Sequence, residues 1–231
     1  MTRFARILLF GLTGILCLRG VSPAAAQDIF RRPAMEAFVD KDTLLVFPAQ
    51  VDTFQKVRVR KNENPVFGTV VRYENELGTC ADVYIYSLDT GAKPVRRDMF
   101  EKHCQETDRG ILELSVQNPK ITVEHIDAPE RKMPDGGFEA HYRIRNGSTP
   151  MDSVLFLSLY KGKLIKVRIS YSPEDKDESV HAALFIDFVA AMLNKEKAPA
   201  QKTDTPAQQR PQSQETPEAV KPEPSKTEEK S

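Results

Sequence analysis

Ser153-Val154-Leu155-Phe156-Leu157-Ser158-Leu159-Tyr160-Lys161-Gly162-Lys163-Leu164-Ile165-Lys166-Val167-Arg168-Ile169-Ser170-Tyr171 is the stretch on which the fold turns. Its first part, Ser153 to Tyr160, is apolar on both faces, as in a strand covered from both sides. Lys161-Gly162 reads as a tight hairpin turn. Lys163 to Tyr171 then alternates, with Ile165, Val167, Ile169 and Tyr171 on one side and Lys166, Arg168 and Ser170 on the other. A hairpin with one doubly apolar strand calls for helices on both faces of an antiparallel sheet.

Working outward, Phe138 to Arg145 also alternates. Phe138, Ala140, Tyr142 and Ile144 read as inward, and Glu139, His141, Arg143 and Arg145 as outward. Asn146-Gly147 supplies the turn into the central hairpin, and Met133-Pro134-Asp135-Gly136-Gly137 supplies the turn before it. Lys120 to Asp127 forms one further strand. Upstream, strands are expected at 43–47, Phe54 to Arg60, Gly68 to Glu74 and Asp82 to Leu88. Val57 and Val59 read as one face of the second, Arg58 and Arg60 as the other.

Two segments carry helical period. Arg96 to Leu114 places Phe100, Cys104, Thr107, Ile111 and Leu114 on one stripe, with Gly110 marking an end or bend. Ser172-Pro173-Glu174-Asp175 resembles a helix start, and Val180, Leu184, Phe188 and Met192, with Ala183, Phe185 and Val189 beside them, mark the periodic stripe of a helix ending at Asn194.

The order is four strands, a helix, four strands, a helix, which makes the class α+β with a largely antiparallel meandering sheet of seven or eight strands. This arrangement resembles the α/β/α sandwich of the Mog1 and PsbP proteins. The meandering strands, the hairpin Leu155–Tyr171 and the closing helix Ser179–Leu193 carry the resemblance. It implies that fold and a binding or assembly role rather than catalysis, although a fold does not set a function.

The chain ends divide it further. Arg3 and Arg6, the apolar run from Ile7 to Leu18 and Ala24-Ala25-Ala26 are the three parts of a secretory signal peptide, with cleavage expected after Ala26. The apolar run is too short for the ~20 residues of a membrane-spanning helix, so no span is expected after cleavage. Cys17 follows Leu16 rather than a small residue, and it leaves with the signal. The chain is thus expected in the periplasm or outside the cell. Residues 27–42 read as a linker or a short helix around Met35–Val39, and residues 43–194 as one globular domain. Residues 195–231 hold no Ile, Leu, Met or aromatic residue and recurrent prolines, the composition of a disordered tail.

Balanced charge, 33 basic against 33 acidic residues, argues against a nucleic-acid binder. His103, His125, His141 and His181 show no metal-ligand spacing, and no nucleophile elbow or phosphate loop is present, so no metal, cofactor or catalytic residue is assigned. In an oxidising compartment Cys80 and Cys104 are disulfide candidates; two inert thiols, or a reactive Cys104 in a thiol enzyme or redox protein, are the alternatives. Arg58, Arg60, His141, Arg143, Arg145, Lys166 and Arg168 lie on outward strand positions, with Arg143/Arg145 and Lys166/Arg168 expected on one sheet face. Such a patch suits an anionic envelope ligand or an acidic envelope protein. A solvated or helix-covered face is the plain alternative.

Overall fold

The computed structural model describes residues 36–89, 93–128 and 136–195. The signal-peptide reading and most of the tail lie outside the described residues. An eight-stranded, wholly antiparallel sheet runs in the order β3-β4-β5-β6-β10-β9-β8-β7. Its strands are β3 (Gln50–Val51), β4 (Phe54–Lys61), β5 (Thr69–Glu74), β6 (Cys80–Tyr86), β7 (Ile121–Ile126), β8 (Phe138–Asn146), β9 (Thr149–Tyr160) and β10 (Lys163–Tyr171). Helices α1 (Arg97–Leu112), α2 (Leu114–Gln117) and α3 (Lys176–Lys195) complete the α+β sandwich, and a ribbon of β1 (Phe38–Val39) and β2 (Val46–Phe47) sits beside it.

The central hairpin forms as its sequence dictates. Lys161 (φ 47°) and Gly162 (φ 73°) both take positive φ, the requirement of the two-residue turn that matches strand twist. Glycine is also required sterically at position 162, since an added Cβ would lie 2.7 Å from the Pro94 side chain. β9 is buried along nearly its whole length because helices cover opposite faces of the sheet.

Those two faces hold separate cores. On one, Phe185 of α3 meets Phe54 and Tyr73 edge-on, each at 5.2 Å between centroids, above Val71, Val83, Phe156, Val167 and Ile169. Each such aromatic pair contributes about 0.5–1.5 kcal/mol beyond its area burial. On the other, Phe100, Cys104 and Ile111 of α1 pack on Ala140, Tyr142, Ile144, Leu155, Leu157 and Leu164. The α1 stripe is the one expected, and the helix continues through Gly110.

The phase of α3 differs from the expected one. Its buried face is Glu178, Ala182, Phe185, Ile186, Val189, Ala190 and Leu193, whereas Val180 and Leu184 are exposed. From Ala182 to Ile186 the sequence is apolar all round, so periodicity alone does not set which side meets the sheet. Asp175 begins the helix by accepting from Asp177 N–H at 3.0 Å.

The N-terminal part also departs from expectation. Phe38–Val39 is a strand paired with Phe47 and Val46, not a helix, and the strand expected over 43–47 is confined to that ribbon. Lys56 pins the ribbon to the sheet. Its buried ammonium donates to Phe47 O at 3.0 Å and to Glu36 O, and burial lowers its pKa. A bulge between Lys56 and Arg58 turns Lys56 towards the α3 core and Arg58 towards the other face.

Candidate functional site

Antiparallel register sets which charged residues meet. Arg58 of β4 opposes Arg72 of β5, Arg72 opposes Asp82 of β6, and Asp82 opposes Arg168 of β10. One step along the strands, Arg60, Val70, Tyr84 and Lys166 form a second row. The rows lie on the α1 side of the sheet, since Arg168 and Lys166 share the face of Leu164, and Leu164 belongs to the α1 core.

Helix α1 packs over β7 and β9, and its core takes no residue from β4 or β5. The β4–β5–β6 half of this face is therefore left open among the described residues. Arg58 and Arg60 are exposed; Val70, Arg72, Tyr84 and Lys166 are half-buried; Arg168 is buried. On these four strands five cations thus share the face with two carboxylates, Asp82 and Glu74.

The middle of the array is held by contacts of its own. Arg72 grips Asp82 through Nε–Oδ1 and Nη2–Oδ2 bonds of 2.7 Å each. The Lys166 ammonium sits 4.3 Å from the Tyr84 ring centroid and 5.7 Å from that of Tyr86. Burial, then the neighbouring Arg168, pushes the Lys166 amine down to about 8, against the opposing pull of Asp82. Tyr86 OH lies 2.7 Å from Nε2 of His103, and burial with the nearby Lys166 charge holds that imidazole down to about 4. His103 is thus neutral at pH 7 and structural, tying α1 to β6.

The other basic residues expected in this patch lie elsewhere. His141, Arg143 and Arg145 point to the opposite face, because His141 opposes Val154 of the α3 core and Arg143 opposes Asp152. Arg143 Nε meets Asp152 Oδ1 at 2.8 Å, Arg145 meets Glu124 at 3.2 Å, and His141 meets Glu139 at 2.7 Å. Arg143/Arg145 and Lys166/Arg168 therefore do not share a face. His141 is buried rather than outward. Alternation along β8 separates two layers here, not core from solvent. Sequence reading missed Arg72, Asp82 and Tyr84. The Val71/Tyr73 alternation already placed Arg72 opposite the core side of its strand.

No disulfide joins Cys80 and Cys104. Cys80 opens β6 opposite Ser170, while Cys104 packs in the α1 core with Tyr86 at the far end of that strand, roughly 20 Å away at 3.4 Å per residue. A bridge needs Cα atoms within about 7 Å. A helix rises about half as far per residue as a strand, so α1 does not carry Cys104 back along the length of β6. Cys104 is 4% exposed, and burial, with Glu101 adding and Arg97 opposing, pushes its thiol up to about 12. Its neighbour His103 is engaged with Tyr86.

Among the described residues no group of three or more His, Cys, Asp or Glu side chains converges as a metal site, and no helix is long and apolar enough to cross a membrane. A wide depression of about 670 Å³ lies at the start of α3, lined by Leu77, Thr79, Ser172 and acidic residues including Glu174 and Glu178.

No family model matches the chain, and no curated protein sequence matches it. Among solved structures, the solution structure of cyanobacterial PsbP (CyanoP) from Synechocystis sp. PCC 6803 is similar at 16% identity, covering 69% of this chain and 93% of that chain with a TM-score of 0.44. The likeness is one of fold alone.

Proposed function

We propose that this chain is an exported, non-catalytic module of the bacterial envelope, periplasmic or secreted, that binds an anionic ligand on the open basic half-face of its sheet. One observation carries the reading. Arg58, Arg60, Arg72, Lys166 and Arg168 come from four strands to one face of the sheet, exposed at Arg58 and Arg60, half-buried at Arg72 and Lys166 and buried at Arg168, and no described residue forms an ion pair with Arg58 or Arg60. The signal-peptide pattern at residues 1–26 supports the compartment. A face of this sign concentrates anions and speeds their capture.

A thiol-dependent enzyme built on Cys104 is the other reading. It is disfavoured because that thiol is buried, raised in pKa and without a histidine base, the reverse of a reactive cysteine's surroundings.

The test is retention of the processed chain on immobilised dextran sulfate as a function of salt. Arg58→Ser with Arg60→Ser is expected to lower the slope of log affinity against log salt by about 2, one per cation lost from the contact. Arg145→Ser, on the opposite face and paired with Glu124, is expected to leave it unchanged. Equal loss in both variants, or no retention of the parent chain, would sink the reading.

A further inference from the structure

Three features limit what the basic face can hold. The first is its spread. Arg58 and Arg168 stand three strand spacings apart, roughly 14 Å at 4.8 Å each. The second is the locked middle. The Arg72–Asp82 pair is bidentate and half-buried, so it neutralises the centre and keeps the outer cations from closing on one small anion. Accessible charge is thereby divided into an Arg58/Arg60 side and a Lys166 side, with Arg168 buried beneath the latter. The third is the floor between them, where Val70 and Tyr84 are half-buried and partly open.

We infer, resting on the reading above, that the face binds an acidic polysaccharide that bridges Arg58 and Arg60 on one side to Lys166 on the other, its uncharged ring faces lying over Val70 and Tyr84.

Alternative occupants fit less well. A lipid bilayer is bound by basic residues together with apolar side chains that insert. The exposed large apolar residues nearest the basic rows, Phe67 and Leu77, lie in the β4–β5 and β5–β6 connections at opposite ends of β5 and so present no common apolar tip. An acidic peptide in extended form adds to a free sheet edge. β4 pairs with β3 only at Phe54 and Gln55, so a strand added beside Arg58 and Arg60 would still be separated by β4, β5 and β6 from Lys166 on the interior strand β10, and at the β7 edge Ile121 N–H and Val123 N–H are already given to Asn118 O and Ser115 Oγ, both at 2.9 Å. The α3 depression is acid-rich and of the wrong sign.

The experiment is titration calorimetry of the processed full chain with galacturonate monomer, dimer and tetramer, beside inorganic phosphate, poly-glutamate and phosphatidylglycerol vesicles. The tetramer is expected to bind on the order of 100-fold more tightly than the monomer, through simultaneous engagement of both sides. Arg58→Ser and Lys166→Gln, each checked for native circular dichroism, are each expected to remove most of that gain while changing monomer affinity little. Monomer or phosphate binding as tight as the tetramer would overturn the bridging site and leave anion binding standing. Tighter binding to vesicles or poly-glutamate, lost in Arg58→Ser, would replace the polysaccharide by that ligand. Binding to none of these probes would overturn the anion-binding reading itself.

Discussion

Asp82→Asn tests the central arrangement most directly. Asp82 is the buried carboxylate between Arg72 and Arg168, with Lys166 one step along β10. Removing its charge leaves those cations facing one another across neighbouring strands. Breaking a fully buried pair in this way costs about 3–5 kcal/mol. Arg72 keeps 18% of its side chain exposed, so water offsets part of that cost, and about 2–3 kcal/mol is the expected loss. For a domain of this size that lowers Tm by roughly 4–12 °C. The assay is urea and thermal unfolding of the processed chain followed by circular dichroism. The double variant Arg72→Met with Asp82→Leu is expected to recover part of the loss, because it removes one of the two cations that Asp82 faces while Arg168 still loses its opposing carboxylate. Meanwhile Asp82→Asn should strengthen dextran sulfate retention by removing a negative charge from the face. A loss below about 0.5 kcal/mol, the size of an ordinary surface change, would refute the reasoning. So would a double variant less stable than the single one.

Two further outcomes follow from buried groups. Cys104, with its thiol near 12, is expected to react with iodoacetamide at pH 8 about 1,000-fold more slowly than an ordinary thiol, whereas in urea without reductant both Cys80 and Cys104 should alkylate fully; peptide mass analysis reads both, and a need for reductant would restore the disulfide. His103 is held neutral in the folded chain down to about pH 4 but protonates near 6.5 when unfolded, so its share of stability is present above pH 6.5 and is lost as pH falls towards 4. His103→Gln should reduce the pH dependence of urea stability over that window by up to about 3 kcal/mol, and an unchanged profile would show that His103 is not buried neutral.

The sequence by itself determined the parts whose logic is local. Lys161-Gly162 specified its hairpin because only a positive-φ pair closes it, and the α1 stripe was legible because Phe100, Cys104, Thr107 and Ile111 recur among charged neighbours. Alternation likewise put Arg58 with Arg60, and Lys166 with Arg168, each on one side of its own strand. What joined those pairs into one face was the β6–β10 pairing, which brings together residues about eighty positions apart, and the bulge at Lys56. Tertiary structure alone decided that Arg143 and Arg145 lie on the opposite face, that α3 presents Phe185 rather than Leu184 to the sheet, and that Cys80 and Cys104 stand apart. The physical reason is that side-chain alternation defines two faces for each strand but does not say which face of one strand continues which face of another. That choice belongs to inter-strand register and to where each helix buries its apolar side, and both are settled only when the distant segments pack.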